Sequence, residues 1–205
     1  MSYFPMFVEM ADKMCLVAGG GKVALRKIES LKAFGAKIFV VSPVILPEIK
    51  RMEGIAWTER PFETEDLTGC ALVIAATDDA SLNHKISVLC REAGILVNAV
   101  DQIEDCGFIF PAFLKEGEVV AAFSSGGLSP ATAQYLKEML APSFTPLLGE
   151  LAAQLGSIRP MVKGSVKTEG ERKRLYKELL CLGIEKEALL TNEEIKAAVD
   201  RYRRE

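Results

Sequence analysis

The stretch most suited to chemistry in this 205-residue chain is Gly19-Gly20-Gly21-Lys22-Val23-Ala24, which directly follows the apolar run MCLVA and opens an amphipathic segment. It fits the pattern G-x-G-x-x-G/A, with Ala24 as the third small residue. The first glycine permits a tight turn, the next lets backbone approach a pyrophosphate, and the third small residue allows close packing of helix on sheet. An anion lodged there meets unpaired N–H groups at a helix N-terminus. The pattern predicts that Gly19, Gly20, Gly21, Lys22, Val23 and Ala24 bind a dinucleotide. The plainer alternative is a glycine turn that only joins strand to helix.

About 20 positions further on, an Asp or Glu would ordinarily hold the adenosine ribose. Ser42 stands there instead, and no Arg follows within Pro43 to Leu46 to hold the extra phosphate of NADP, so NAD is favoured. Strand ends of a parallel sheet collect ligands at one edge, which brings Ala76-Thr77-Asp78 and the stretch Asn98 to Asp101 to the crevice and makes Ser42, Thr77 and Asn98 candidate cofactor contacts. Asp101 is the candidate catalytic residue, because a carboxylate beside a nicotinamide can take a proton as the substrate is oxidised; its alternative is a turn or cap. Asp78 and Asp79 precede a helix and read as caps.

In Ser124-Ser125-Gly126-Gly127, successive backbone N–H groups can receive a carboxylate and the hydroxyls can add bonds. A flexible loop leading to a Ser129 cap explains the same residues. The single histidine, His84, reads as a surface residue. Between Gly156 and Lys177 seven cations, Arg172 and Arg174 among them, stand against the two acids Glu169 and Glu171; this suits an anionic ligand and equally a solvated helix face.

The elements that must position these residues alternate. MCLVA, KIFVVS, ALVIAAT and ILVNAV are short apolar runs, separated by amphipathic stretches at 22–34, 45–53 and 80–93. This is the βαβ rhythm of a parallel sheet covered on both faces. In 22–34, Val23, Ile28, Leu31 and Phe34 form the predicted apolar stripe, with Lys22, Arg26, Lys27 and Lys32 toward solvent. A short strand is expected at Ala56 to Glu59, after a turn at Gly54. Two β runs, Phe108 to Phe110 and Glu118 to Ser124, flank a turn, Ser129-Pro130 opens a helix to about Leu140, and Thr191 with Glu194 forms a capping box for the last helix. The fold class expected is α/β: a Rossmann-like parallel sheet over 1–110, a small β/α dimerisation segment over 111–145 and a helical C-terminal tail over 146–205.

Hydrophobic residues make up 49% and charged residues 26%, which excludes a disordered chain. A net charge of -3 argues against a general nucleic-acid binder. No apolar run approaches membrane-helix length, and Glu9 and Asp12 interrupt the start MSYFPMFVEMADK, so neither membrane association nor a signal peptide is expected and a cytoplasmic location is. Five scattered cysteines without a C-x-x-C pair encode neither a disulfide framework nor a local metal site and read as reduced and mostly buried.

Taken together these motifs resemble the precorrin-2 dehydrogenase and sirohydrochlorin ferrochelatase family, the N-terminal part of siroheme synthase. The resemblance rests on FPMFVEMADKMCLVAGGGKVALRKIESLKAFGA, CALVIAATDDASLNHKI, VNAVDQIEDCGFIFPA, AAFSSGGLSPATAQYLKEML and GERKRLYKELL, in order over nearly the whole chain. VNAVD followed by F-I-F-P and then SSGG-x-SP is far more specific than the glycine loop. The chain stops where fused siroheme synthases continue into a methyltransferase domain, which reads as the stand-alone form.

The resemblance implies NAD-dependent oxidation of precorrin-2 to sirohydrochlorin, on the way to siroheme or cobalamin. It also implies a homodimer that exchanges the central β segment, Asp101 as the essential aspartate, and Ser125, with Ser124 and Gly126 beside it, lining the tetrapyrrole site. An octacarboxylate substrate gives Arg172 and Arg174 a purpose. Some members also insert Fe2+ or Co2+ as substrate metal and others do not; the macrocycle is expected to hold the metal, and no protein metal site is assigned. The rival reading is an NAD-binding regulatory module without catalysis.

Overall fold

Five short strands with consecutive buried residues build a parallel sheet because the chain between them crosses over as helix. The structure, a computed structural model, describes residues 3–203 and divides into a unit ending at Phe110 and a unit starting at Pro111. In the first unit the order is β1 (Met14–Ala18), α1 (Lys22–Lys32), β2 (Lys37–Val41), α2 (Pro47–Lys50), β3 (Ile55–Thr58), β4 (Leu72–Ala75), α3 (Ala80–Glu92) and β5 (Leu96–Ala99). The sheet order is β3-β2-β1-β4-β5, all parallel, the doubly wound arrangement expected from the sequence.

Strand alternation divides the core. Cys15 and Val17 face a cluster with Ala24, Ile28 and Leu31 of α1, while Leu16 and Ala18 face another with Ile86 and Cys90 of α3. The α1 stripe is Ala24, Ile28 and Leu31, at i, i+4 and i+7. It does not include Val23, which is exposed, and the helix ends before Phe34. Lys27 also departs from expectation: its ammonium lies 3.9 Å from the centroid of the Phe110 ring. The 45–53 segment keeps only the single turn Pro47–Lys50, started by Pro47 at the first helical position.

The second unit contains the antiparallel hairpin β6 (Ala112–Glu116) and β7 (Val119–Phe123), followed by α4 (Pro130–Leu140), α5 (Pro146–Ser157), α6 (Arg159–Ser165), α7 (Glu169–Glu185) and α8 (Asn192–Arg203). The first hairpin strand is therefore 112–116, and Phe108 to Phe110 is no strand. Those two rings pack instead against the core cluster of β1 and α1 in the first unit, and the Phe108 carbonyl is taken by a side-chain amide rather than a strand partner. Alternating aromatic and aliphatic residues serve either use.

Helix starts in this unit are capped as their sequences dictate: Ser129 accepts from the Thr132 N–H with Pro130 next to it, and capping boxes join Thr168 to Glu171 and Thr191 to Glu194. Leu151, Val162, Leu175, Leu179 and Ile195 form the core of its helical part. Gly149 lets α5 approach the hairpin: a Cβ there would lie 2.9 Å from the Glu116 carbonyl. The cysteines are all free thiols, with Cys15 and Cys90 buried, Cys70 and Cys106 half-buried and Cys181 exposed, so fewer are buried than expected. Among the described residues no helix is long and apolar enough to cross a membrane.

Candidate functional site

Register assembles the site. Ala18 is paired with Val41 and with Ala75, and Ala75 with Ala99. The residues that follow, Gly19, Ser42, Ala76 and Val100, therefore leave the sheet side by side at its carboxyl edge, where ligands of open α/β sheets bind. A cleft of about 440 Å³ opens there. Gly19, Gly20, Gly21, Ser42, Thr77 and Asp78 line it, with an apolar wall from Pro43, Val44, Leu46, Pro61 and Phe62.

The three glycines have different tasks. Gly19 has φ +124°, and a Cβ on it would sit 2.2 Å from the Ala76 carbonyl oxygen. A Cβ on Gly20 would sit 2.2 Å from the Val44 carbonyl oxygen, and the Gly20 carbonyl already accepts from the Leu46 N–H at 3.0 Å. Both are pressed between strand-end loops. Gly21 has nothing within 4 Å of where its Cβ would be. It is also the N-cap of α1, no side chain caps that helix, and no acid stands in its first turn. The first-turn N–H groups and the positive helix end thus face a space kept open by a missing side chain, which fits a pyrophosphate.

Thr77 is held by Asn83, a buried residue of α3. The Thr77 N–H and hydroxyl both donate to Asn83 Oδ1, at 3.1 and 2.7 Å, and Asn83 Nδ2 donates to the Thr77 carbonyl at 3.0 Å. Asp79 caps α3, accepting from the N–H groups of Ser81 and Leu82; Asp78 lines the cleft. Asn83 and the apolar wall escaped the sequence reading. An amide one turn inside a helix after a Thr-Asp-Asp start was a usable signal for Asn83; nothing local marks Phe62.

Other predicted contacts lie elsewhere. Lys22 and Val23 start α1 outside the cleft lining, and Ala24 is fully buried against the sheet, as its packing role requires. Asn98 is buried too, its amide donating to the Phe108 carbonyl at 3.0 Å and to Cys106 Sγ at 3.4 Å; it anchors the chain after β5 rather than lining the cleft. Asp101 follows the same strand, two residues past Ala99. It is exposed and has φ +62°, a left-handed conformation that Asp tolerates better than most residues. The next turn contains Asp105, whose carboxylate is held below its usual range by the hydrogen bond from His84, with Arg91 adding to it. His84 is thus exposed but partnered.

Burial lowers the Lys27 ammonium pKa to about 8, with Arg26 adding to the effect. In the second unit, Ser124 Oγ accepts from the Gly126 N–H at 3.0 Å and Ser125 Oγ from the Ser129 N–H at 2.9 Å, bracing the loop before α4. Both hydroxyls keep a hydrogen to donate. Arg174 is exposed, whereas Arg172 Nη1 donates to the Val166 and Lys167 carbonyls at 2.9 and 2.8 Å, closing the end of α6.

Comparison with known proteins gives this geometry a context. The chain is 41% identical over 183 residues to the siroheme synthase of Thioalkalivibrio sulfidiphilus, covering 88% of this chain and 37% of that protein. It is 38% identical to the siroheme synthase of Sodalis glossinidius, with 88% and 39% covered, and 36% identical to that of Methylobacillus flagellatus, with 95% and 42% covered. The chain spans about two-fifths of the length of these relatives. A solved structure titled "SirC, precorrin-2 dehydrogenase" shares the fold, with a TM-score of 0.74 and 22% identity over 99% of this chain and all of that one. Residues 6–112, more than half of the chain and all of the strands that form the cleft, match the family described as "Putative NAD(P)-binding". The chain belongs to this NAD(P)-binding family, NAD_binding_7.

Proposed function

We propose that this protein binds NAD at the Gly19–Gly21 cleft and oxidises precorrin-2 to sirohydrochlorin, with Asp101 as general base. The observation that carries the reading is the shared sheet edge: the open face of Gly21 at the α1 N-terminus and the Asp101 segment leave the same carboxyl edge of one parallel sheet, after β1 and β5 with β4 between them. The siroheme synthase relatives and the precorrin-2 dehydrogenase of similar fold support it. NAD is preferred to NADP because Ser42 and the apolar Pro43, Val44 and Leu46 offer no cation to a ribose phosphate.

When bound, the dinucleotide supplies a two-electron acceptor. Gly19 and Gly20 keep side chains out of the loop, the first N–H groups of α1 receive the pyrophosphate, and Ser42 and Thr77 offer hydroxyls to the sugars. The Asp101 carboxylate, exposed beyond β5, accepts the proton that the carbon framework must lose on oxidation. Ser124, Ser125, Gly126 and Arg174 are the proposed holders of the substrate carboxylates, with Arg172 bracing the neighbouring backbone. Insertion of Fe2+ or Co2+ as substrate metal would use the same carboxylate to take pyrrole protons. A homodimer formed through β6 and β7 is part of the proposal; the two-stranded hairpin has no third strand among the described residues, and such ribbons gain from pairing.

The test is spectroscopic. Purified protein, precorrin-2 and NAD should generate the sirohydrochlorin absorption bands together with NADH, and a repeat with ferrous or cobaltous ion reads chelation. Nucleotide binding by calorimetry with an unchanged tetrapyrrole spectrum would leave a regulatory NAD-binding module in place of the enzyme.

A further inference from the structure

Every fourth or third residue along one face of α3 is bonded to the short segment that follows Asp101. At the start, Gln102 Nε2 donates to the Ala80 carbonyl at 3.2 Å. One turn on, His84 Nδ1 lies 2.9 Å from both oxygens of Asp105. Next, Ser87 Oγ donates to the Asp105 carbonyl at 2.5 Å. At the end, Arg91 Nη2 donates to the Ser87 hydroxyl, the Glu104 carbonyl and Asp105 Oδ1, each at 3.0 Å. Positions 80, 84, 87 and 91 make one continuous helical stripe. The Asp105 side chain is only 5% exposed, although its partners His84 and Arg91 both reach solvent. A buried carboxylate with this many donors is a fixed point.

The first turn of α3 is also tied to the nucleotide cleft, through Asn83 and Thr77. One rigid helix therefore carries a cleft-lining contact at its first turn and grips the 102–105 segment along its length. Asp101 lies between that grip and the last sheet bond, in which the Val100 N–H donates to the Ala75 carbonyl at 2.9 Å. Its left-handed backbone persists because both flanks are fixed, since a non-glycine residue at φ +62° is held there by its surroundings.

We propose that His84, Ser87 and Arg91 are positioning residues, which fix Asp101 relative to the nucleotide cleft by clamping Asp105 to α3. The positioning of the backbone stands on the hydrogen bonds alone; its consequence for turnover rests on the reading of Asp101 as general base. Asp105 is the pivot. Its replacement frees the segment without touching the cleft or the Asp101 side chain.

The experiment compares Asp105→Asn, Arg91→Gln and His84→Gln with wild type, and uses Lys85→Gln, on the same helix but off the stripe, as control. Amide hydrogen exchange of the ligand-free protein over residues 101–107 should rise about tenfold or more in Asp105→Asn and Arg91→Gln, less in His84→Gln, and not at all in Lys85→Gln. With precorrin-2 and NAD, kcat should fall about tenfold in the first two while the NAD Kd stays within twofold, and Arg91→Lys should recover part of the loss. Exchange at the wild-type rate in both Asp105→Asn and Arg91→Gln overturns the clamp. Faster exchange with unchanged kcat also overturns it as a positioning device. Faster exchange in a protein whose wild type never converts precorrin-2 upholds the clamp and removes the dehydrogenase reading instead. Should Asp105→Asn fail to fold, Arg91→Gln and His84→Gln, altered at half-exposed side chains, decide the same outcomes.

Discussion

Asn83 holds Thr77 by three hydrogen bonds, with the Thr77 N–H and hydroxyl converging on Asn83 Oδ1 and the Thr77 carbonyl accepting from Nδ2. The buried amide thereby shapes one wall of the cleft. Asn83→Leu keeps a similar volume but leaves these Thr77 groups without their partner, at a cost of about 1–3 kcal/mol. Denaturant unfolding should register that loss, and calorimetry should register NAD affinity about tenfold weaker. Wild-type affinity in a destabilised variant would limit Asn83 to a role in folding.

The glycines separate folding from binding. Gly21→Asp introduces a side chain into open space, so the fold should survive while the added bulk and negative charge exclude the pyrophosphate. Gly20→Ala must displace the backbone of Val44, 2.2 Å from the new methyl, and should lose about 1–3 kcal/mol of stability. Melting curves and NAD titrations on the two variants should give opposite profiles. Equal NAD affinity in Gly21→Asp and wild type would take the glycine loop out of the site.

Much of this arrangement was legible in the sequence, and the limits are physical. MCLVA, KIFVVS and ALVIAAT became the inner strands because buried parallel strands need apolar residues on both faces, and Gly-Gly-Gly marked the turn because few other residues suit the close approaches at 19 and 20. Phe108 to Phe110 misled because F-I-F alternates like a strand while its rings were wanted under the sheet. Asn98 anchors the chain after β5 while Asn83, to which the sequence assigned no role, holds the cleft wall through Thr77, for the same kind of reason: sequence order gives the strand end but not which amide turns inward. Asp105 could not be read from its neighbours, since its three α3 partners lie 14 to 21 residues earlier.

Lys27 gives a pH dependence with a definite sign. Burial, with Arg26 adding to it, lowers its ammonium pKa from 10.5 to about 8, and the nearby Phe110 ring does not reverse this. Below about pH 8 the amine is charged in both folded and unfolded chains, and the cost of burying that charge is present in full. Between about 8 and 10.5 the unfolded chain binds the additional proton, so this group makes stability rise with pH across that window. Lys27→Met should remove the rise. The check is the melting temperature of both proteins at pH 7 and pH 9.5; identical pH dependence in the two would show that Lys27 titrates normally.

The two arginines of α7 should behave differently. Arg172→Ala releases the Val166 and Lys167 carbonyls at the end of α6 and should lower the melting temperature at any salt concentration. Arg174→Ala leaves the fold unchanged, and if this exposed cation attracts the substrate carboxylates, the KM for the tetrapyrrole should rise severalfold at low salt and converge on wild type at high salt. A KM insensitive to Arg174→Ala at low ionic strength would return that side chain to the solvated helix face.

Asp101→Asn addresses the chemistry most directly. Asn is compatible with the left-handed backbone that this position requires, so the variant retains shape and conformation and loses only the base. A positioned general base contributes about 10²- to 10⁴-fold, and kcat for precorrin-2 oxidation should fall by that order while NAD affinity holds, because Asp101 lies outside the cleft lining. Asp101→Glu is the informative partner: it keeps the carboxylate but fits φ +62° less well, so it should recover only part of the rate. If Asp101→Asn turned over within a few-fold of wild type, the proton would go to water or to a substrate carboxylate, and the left-handed Asp101 would be a turn residue.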